Sequence, residues 1–201
     1  MSKVILFDAD GVTIMPRKKF FSQRFSEDFG VAQERIMPLF KNEFYKCVLG
    51  EMDLREVLPQ YLMAWKWEGS VEELLTYWWE GENTPNTPVL EIIDRLRLRG
   101  VKCYLATDQE KYRAKYIMDG MGIGKHLDGA FISSSLGVSK SKPAYWEKVV
   151  QILDIQNPNE IEYWDDEPEN VDAAKEAGID AYLFKSVSDL EEHVFLPVDN
   201  N

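Results

Sequence analysis

Histidine and cysteine are scarce in this chain, with two of each among 201 residues. His126 and His193 are too few for a histidine-based zinc site and sit in no triad-like setting. Cys47 and Cys103 belong to no Cys-x-x-Cys pair or ligand cluster, and read as reduced thiols. Positive charge is also in deficit: 23 Lys+Arg face 35 Asp+Glu, a formal net charge of −12. With no sustained basic stripe to neutralise a phosphodiester backbone, nucleic acid is excluded as a partner. No apolar run approaches the ~20 residues of a membrane span, so no membrane association is expected. The opening stretch is apolar only from Val4 to Phe7 before Asp8 interrupts it. That is no secretory leader, and a cytoplasmic location is expected.

What remains is an ordinary globular composition, 45% hydrophobic and 29% charged, of a size for one domain with a small insert. A chain of this length buries about 70% of its extended surface and folds without disulfide or metal staples. Val4–Phe7 is a short apolar run of the kind buried on both faces of a sheet. Segments 101–106, 129–133, 161–164 and 181–184 resemble it. Helical patterns separate them: Thr87 as N-cap with Pro88 opens one that Gly100 stops, and 112–120, 144–153, 169–177 and 188–193 follow. Alternation of this kind predicts a parallel sheet with right-handed crossovers and a ligand site beyond the carboxyl ends of its strands.

Residues 15–83 break the alternation. Helices are expected at 17–29, 32–49, 54–66 and 71–79, with capping boxes at Asp53/Glu56 and Ser70/Glu73. Four of the six tryptophans fall here, Trp65, Trp67, Trp78 and Trp79. A small helical bundle inserted after the first strand is the expectation, with 81–86 as the hinge back. The tail from 197 to 201 is expected to fray.

Four strand ends carry chemistry. Asp8-Ala9-Asp10-Gly11 places two carboxylates just past a buried strand. Burying them unpaired is costly, and a divalent cation with oxygen ligands, Mg²⁺, removes that cost. Thr107-Asp108 ends the second strand with a hydroxyl before a helix, an anion site or an ordinary cap. Lys140 and Lys142 lie in a loop before the helix at 144, where a lysine neutralises a phosphate or simply meets solvent. Asp165-Asp166 are adjacent carboxylates that repel without a cation. Taken singly, each has a plain structural explanation; the order Asp-x-Asp, Thr, Lys, Asp-Asp does not.

That order resembles the haloacid dehalogenase (HAD) superfamily of hydrolases over almost the whole chain. Residues 165–178, with Asp-Asp-x-x-x-Asn-Val and Ala-Ala-x-x-Ala-Gly, are similar to its fourth motif. Against its Gly-x-x-Lys-Pro-x-Pro motif, Gly137 and Pro143 align when Lys140 takes the lysine position, while Lys142-Pro143 is a competing match. Asp108 stands where the family often has asparagine. The resemblance implies an α/β fold, a Rossmann-like parallel sheet sandwiched by helices, with a core of residues 1–14 and 84–201 and an inserted all-helical cap at 15–83. It implies a Mg²⁺-dependent phosphatase acting on a small phosphorylated metabolite through an aspartyl-phosphate.

In that reading Asp8 is the nucleophile, always ionised, and Asp10 the general acid/base, a task calling for a pKa lifted toward neutrality. The metal ligands are Asp8, the Asp10 backbone carbonyl and Asp166, with Asp165 assisting. Thr107, the Asp108 amide and Lys140 hold the phosphoryl oxygens. The acid at Asp10 favours a phosphatase or phosphomutase over a 2-haloacid dehalogenase, because carbon–halogen cleavage leaves no oxygen to protonate. A catalytically inactive binding protein of the same fold is the rival from another class. Arg17, Lys18 and Lys19 either attract an anionic substrate or form a solvated basic turn. The insert's tryptophans, with Met37, Met52 and Met63, either line an apolar pocket or form the bundle's own core.

Overall fold

The computed structural model describes residues 4–195; the tail expected to fray lies outside them. Val4–Phe7 (β1) is the centre of a five-stranded sheet whose other strands are Lys102–Thr107 (β2), Gly129–Ile132 (β3), Ile161–Asp165 (β4) and Asp180–Leu183 (β5). The order is β3-β2-β1-β4-β5 and every pairing is parallel. The chain builds outward from β1 to β3, then crosses back to start β4 on the other side of β1. That reversal opens a crevice at the carboxyl ends of β1 and β4. Register makes the crevice usable: Phe7 pairs with both Leu105 and Trp164, so the residues just beyond, Asp8, Thr107 and Asp165, emerge together.

Period-2 alternation sorts β1 onto two cores. Ile5 and Phe7 pack with Val89, Ile92, Ile93 and Leu96 of helix Thr87–Leu98. Leu6 packs on the opposite face with Tyr145, Trp146 and Val149 of helix Pro143–Leu153 and with Val171 and Ala174 of helix Pro168–Glu176. The sheet is therefore covered by helices on both sides, as the sequence pattern predicts.

Between β1 and β2 the described chain is helical, and its buried side chains form a third cluster around Phe25, Leu39, Trp65 and Leu74. Several local expectations need correction. The first helix begins at Phe21, not residue 17, because residue 20 is extended (φ −67°, ψ 154°). The second splits into Gln33–Asn42 and Phe44–Val48. The third splits into Leu54–Val57 and Pro59–Leu62, since Pro59 has no N–H to continue a helical ladder and serves better as a start. The fourth, Val71–Glu80, keeps its Ser70/Glu73 box. Asp53 caps through the Arg55 amide (2.9 Å) rather than through a box with Glu56. Its other oxygen leaves the insert and accepts from Lys111 Nζ (2.7 Å) and Tyr112 Oη (2.8 Å).

Asn86, not Thr87, holds the cap position of Thr87–Leu98, and its side chain donates to the Val12 carbonyl (2.8 Å). The two linkers of the insert lie side by side: Met15 N donates to Thr84 O (2.8 Å) and Asn86 N to Thr13 O (2.9 Å). The helix expected at 112–120 is Lys111–Lys115 followed by a wider π turn, Tyr116–Gly120. Among the described residues no helix is long and apolar enough to cross a membrane.

Candidate active site

Asp8 leaves β1 with its amide still bonded to Trp164 O (2.9 Å) and its side chain buried, 4% exposed. The turn that follows depends on Gly11, whose φ of +87° disfavours any side chain. A Cβ there would meet Asp166 Oδ2 at 2.1 Å, so glycine also makes room for the Asp166 carboxylate. Carboxylate oxygens of Asp8, Asp165 and Asp166 lie within 4.8 Å of one another.

One cation is set among these anions. Lys140, 5% exposed, pairs with Asp8 Oδ1 and, at 2.7 Å, with Asp165 Oδ2. Its loop is pinned by Asp108, which accepts from Ser139 Oγ (2.5 Å) and Lys140 N (3.0 Å), while Trp146 Nε1 donates to Lys140 O (2.8 Å). The Asp108 carboxylate is thus turned into the lysine loop, which explains how an acid is tolerated there. Lys142 is exposed at the start of helix Pro143–Leu153, so the structure brings Lys140 and not Lys142 to the carboxylates. Asp165 is fully buried and saturated: Oδ2 takes Lys140 and the Tyr163 hydroxyl, and Oδ1 takes Glu167 N (2.7 Å) and Asn170 Nδ2 (3.3 Å). Thr107 is buried at the tip of β2 and shares a cavity wall with Asp8, Lys140 and Asp166.

The electrostatics depart from simple expectation. Burial pushes the Asp8 carboxyl well up, Lys140 pulls it back and Asp165 adds to the rise. Ionisation of Asp8 is therefore not automatic; it depends on positive charge beside it. Asp166 is raised as well, by burial and then by Asp165 and Glu167. For Lys140, burial favours the neutral form, but Asp8 and Asp165 outweigh it and the amine is raised. Asp10 runs opposite to expectation. Burial raises it, yet Arg17 and Arg113 with the Gln109 amide outweigh burial and hold it below the usual carboxylate range.

The contacts behind that reversal are Arg17 Nη2 to Asp10 Oδ2 (2.6 Å), Gln109 Nε2 to the same oxygen (2.8 Å) and Arg113 Nη2 to Oδ1 (3.4 Å). Asp10 is not one of the three clustered carboxylates; its side chain is engaged instead by Arg17, Arg113 and Gln109. Arg17 is no solvated turn: freed by the late start of its helix, it reaches Asp10 and Glu82 (3.8 Å). Lys19 pairs with Glu27 on the surface. Gln109, Arg113 and Glu82 were not legible as site residues. Gln109 stood next to a flagged motif, but Arg113 and Glu82 carry no local signal and are assembled by the fold.

A second cavity of about 430 Å³ opens beyond Asp10, between insert and sheet. Asp10, Arg17, Glu82 and Arg113 form its polar end, and Met37, Phe40, Phe44, Trp78 and Trp79 its apolar wall. The two readings of the insert's large side chains are both met. Trp65 is wholly core, Trp78 serves core and cavity, and Met63 is in neither, being 91% exposed.

A parallel sheet with acidic residues at the ends of β1 and β4 and a lysine between them defines a class of hydrolase. The chain belongs to the haloacid dehalogenase-like hydrolases, whose family model matches residues 2–178. Its fold is similar to that of a HAD family enzyme from Bacteroides thetaiotaomicron, with TM-score 0.82 and 20% identity over 97% of this chain and 98% of that one. That enzyme has also been solved with magnesium and inorganic phosphate; TM-score is 0.80 and identity 20%, over 97% and 100% of the two chains. A HAD-like family hydrolase from Porphyromonas gingivalis gives TM-score 0.78 and 18% identity over 98% and 99%. No curated protein matches the sequence.

Proposed function

We propose that this hydrolase is a Mg²⁺-dependent phosphatase that cleaves a small phosphate monoester through an aspartyl-phosphate on Asp8, with residues 15–83 as a cap over the site and 1–14 with 84–201 as the catalytic core. The observation that carries the reading is the convergence of Asp8, Asp165 and Asp166 oxygens within 4.8 Å around one lysine. Three carboxylates against a single ammonium leave a negative excess that a divalent cation fits, and the raised Asp8 and Asp166 carboxyls express the same deficit. Gly11 lets the Asp166 carboxylate come close to the turn that follows Asp8. Asp8, Asp166 and the Asp10 carbonyl are the oxygens that would hold Mg²⁺, which when bound screens the phosphate from the nucleophile. The similar Bacteroides thetaiotaomicron enzyme has been solved with magnesium and inorganic phosphate, which supports Mg²⁺ and a phosphate group as the chemistry of such a site.

In this reading Asp8 attacks phosphorus in line, and its burial keeps competing water away. Lys140 favours the ionised form of Asp8 and, with Thr107 and the Asp108 amide, holds phosphoryl oxygens. Asp165 acts through Lys140, since every bond it makes already goes to the protein. Asp10 delivers a proton to the leaving oxygen and later takes one from water. It starts as a carboxylate; an arriving phosphate competes with it for Arg17, and with that pair weakened the carboxyl takes up a proton from solvent water, which is the proton it passes to the leaving oxygen. A carboxyl acid beside the scissile bond serves an oxygen leaving group and not a halide, which favours phosphatase over dehalogenase. The substrate is a small phosphorylated metabolite, and the locale a cytoplasmic one.

The test is release of inorganic phosphate from 4-nitrophenyl phosphate. Release that requires Mg²⁺, stops with a chelator and is absent from Asp8→Asn supports the reading. Release unaffected by chelator or by Asp8→Asn overturns it.

A further inference from the structure

We propose that the leaving group of the substrate is an uncharged aromatic moiety, bound in the 430 Å³ cavity with its ring against Phe20. This rests on the phosphatase reading for where the phosphoryl group sits. The cavity around Asp8, Thr107 and Lys140 and the cavity under the insert share Asp10, Arg17, Phe20, Asp108 and Gln109. An ester with phosphorus beside Asp8 therefore passes its leaving group by Asp10 and Phe20 into the second cavity. The route defines the order of contacts: phosphate, acid, ring, apolar wall.

Carboxylates outnumber guanidiniums on the wall of that second cavity, although Arg113 Nη1 and Glu82 Oε1 have no hydrogen-bond partner among the described residues. Arg17 meets Asp10 (2.6 Å) and Glu82 (3.8 Å), and Arg113 meets Asp10 (3.4 Å) and Glu82 (3.6 Å). Glu110, also on the wall, is buried and spends its carboxylate on the amides of Tyr112 and Arg113. Two guanidiniums face three carboxylates, so no positive charge is left over for a second phosphate or carboxylate on the leaving group. The remaining wall, Phe40, Phe44, Trp78 and Trp79 with Met37, offers few hydrogen-bond partners to a polyol and a large area to a ring.

Phe20 is the distinctive element. It is 60% exposed at the junction of the two cavities, held by an extended backbone, with the Arg17 guanidinium 5.6 Å from its ring centre. Phe21 next to it is buried and stacked on Trp78 at 4.3 Å, part of the insert's core. An exposed ring beside a buried one, at the entrance to an aromatic cavity, is placed to stack on what enters.

The experiment compares 3-phenylpropyl phosphate with glycerol 1-phosphate, both esters of alkyl alcohols, so leaving-group acidity differs little. The expectation is a kcat/KM for the phenyl ester about tenfold the higher, near the upper end of what one ring pair contributes. Phe20→Ala should erase most of that preference through KM, and Phe20→Trp should retain it. Equal efficiencies, or a preference that survives Phe20→Ala, overturn this inference and leave the phosphatase reading standing. If neither ester and not 4-nitrophenyl phosphate is hydrolysed, that reading fails instead. With neither ester hydrolysed, the inference is decided by tryptophan fluorescence of the Mg²⁺-loaded Asp8→Asn variant: tighter binding of the phenyl ester supports it, and equal binding overturns it.

Discussion

Two regions face each other across the crevice, and they are held together by opposite means. At the strand ends, stability comes from interlocked charge: Lys140 between Asp8 and Asp165, and Asp108 pinning the lysine's loop. In the insert it comes from interlocked rings, with Phe21 on Trp78, Phe25 near Trp65, and Trp65 donating to the Arg35 carbonyl (2.8 Å). Polar groups in the first region are aimed and saturated, which suits chemistry at one point. Apolar groups in the second are shaped without being aimed, which suits a choice among leaving groups. Direct ties between them include Asp53 to Lys111 and Tyr112, and Ser133 Oγ to the Val48 carbonyl (2.7 Å).

The contrast predicts where substitutions act. Lys140→Ala should have the largest effect. It strands two buried carboxylates, at a cost of about 3–5 kcal/mol, and it should also remove turnover. Urea unfolding and phosphate release check the two halves, and added Mg²⁺ should return part of the stability without the activity. Trp65→Phe should cost about 2 kcal/mol from a small void and the lost hydrogen bond to the Arg35 carbonyl. Because that change lies far from the charges, chelator sensitivity of turnover should be unaltered; altered sensitivity breaks the proposed division of labour.

A smaller effect is expected at Asp128, outside both regions. Burial raises its carboxyl, but the Cys103 amide, Lys102 and Arg97 outweigh burial and hold it below the ordinary value. A carboxyl depressed by folding stabilises the protein above its unfolded pKa and loses that contribution as pH falls through the folded pKa. Asp128→Asn should therefore lower stability by about 1 kcal/mol at pH 7, and by less as the solution is acidified below about pH 3. Thermal unfolding at the two pH values decides it. The smallest effect belongs to Ser70→Ala, which removes an exposed cap on helix Val71–Glu80 at about 0.5–1 kcal/mol.

Legibility in sequence followed the same division. All five strands were readable to within a residue at either end, because each is a short run rich in apolar residues between helical patterns. The residues that gather at the site, Asp8, Thr107, Asp108, Lys140, Asp165 and Asp166, were visible because each adjoins the end of a strand or the loop before a helix. The insert was legible as helical but not in detail. Its breaks fall at Glu43 and Pro59, and residues 17–20, which look helix-compatible in sequence, are non-helical, with Arg17 turned to Asp10 instead. Arg113 and Glu82 lie 31 positions apart and meet each other, and Arg113 meets Asp10, only through the fold, so no local pattern announces them. The raised pKa expected of Asp10 came from its acid/base role, and the two guanidiniums that hold it down instead are brought to it by the fold.

The most direct test of the account is the covalent state of Asp8 during turnover. Enzyme mixed with excess phosphate ester and Mg²⁺, quenched in acid within one turnover and digested, should yield the peptide spanning Asp8 with one added phosphoryl group, labile to hydroxylamine. Steady phosphate release with that peptide unmodified, or with the phosphoryl group on another residue, would contradict it.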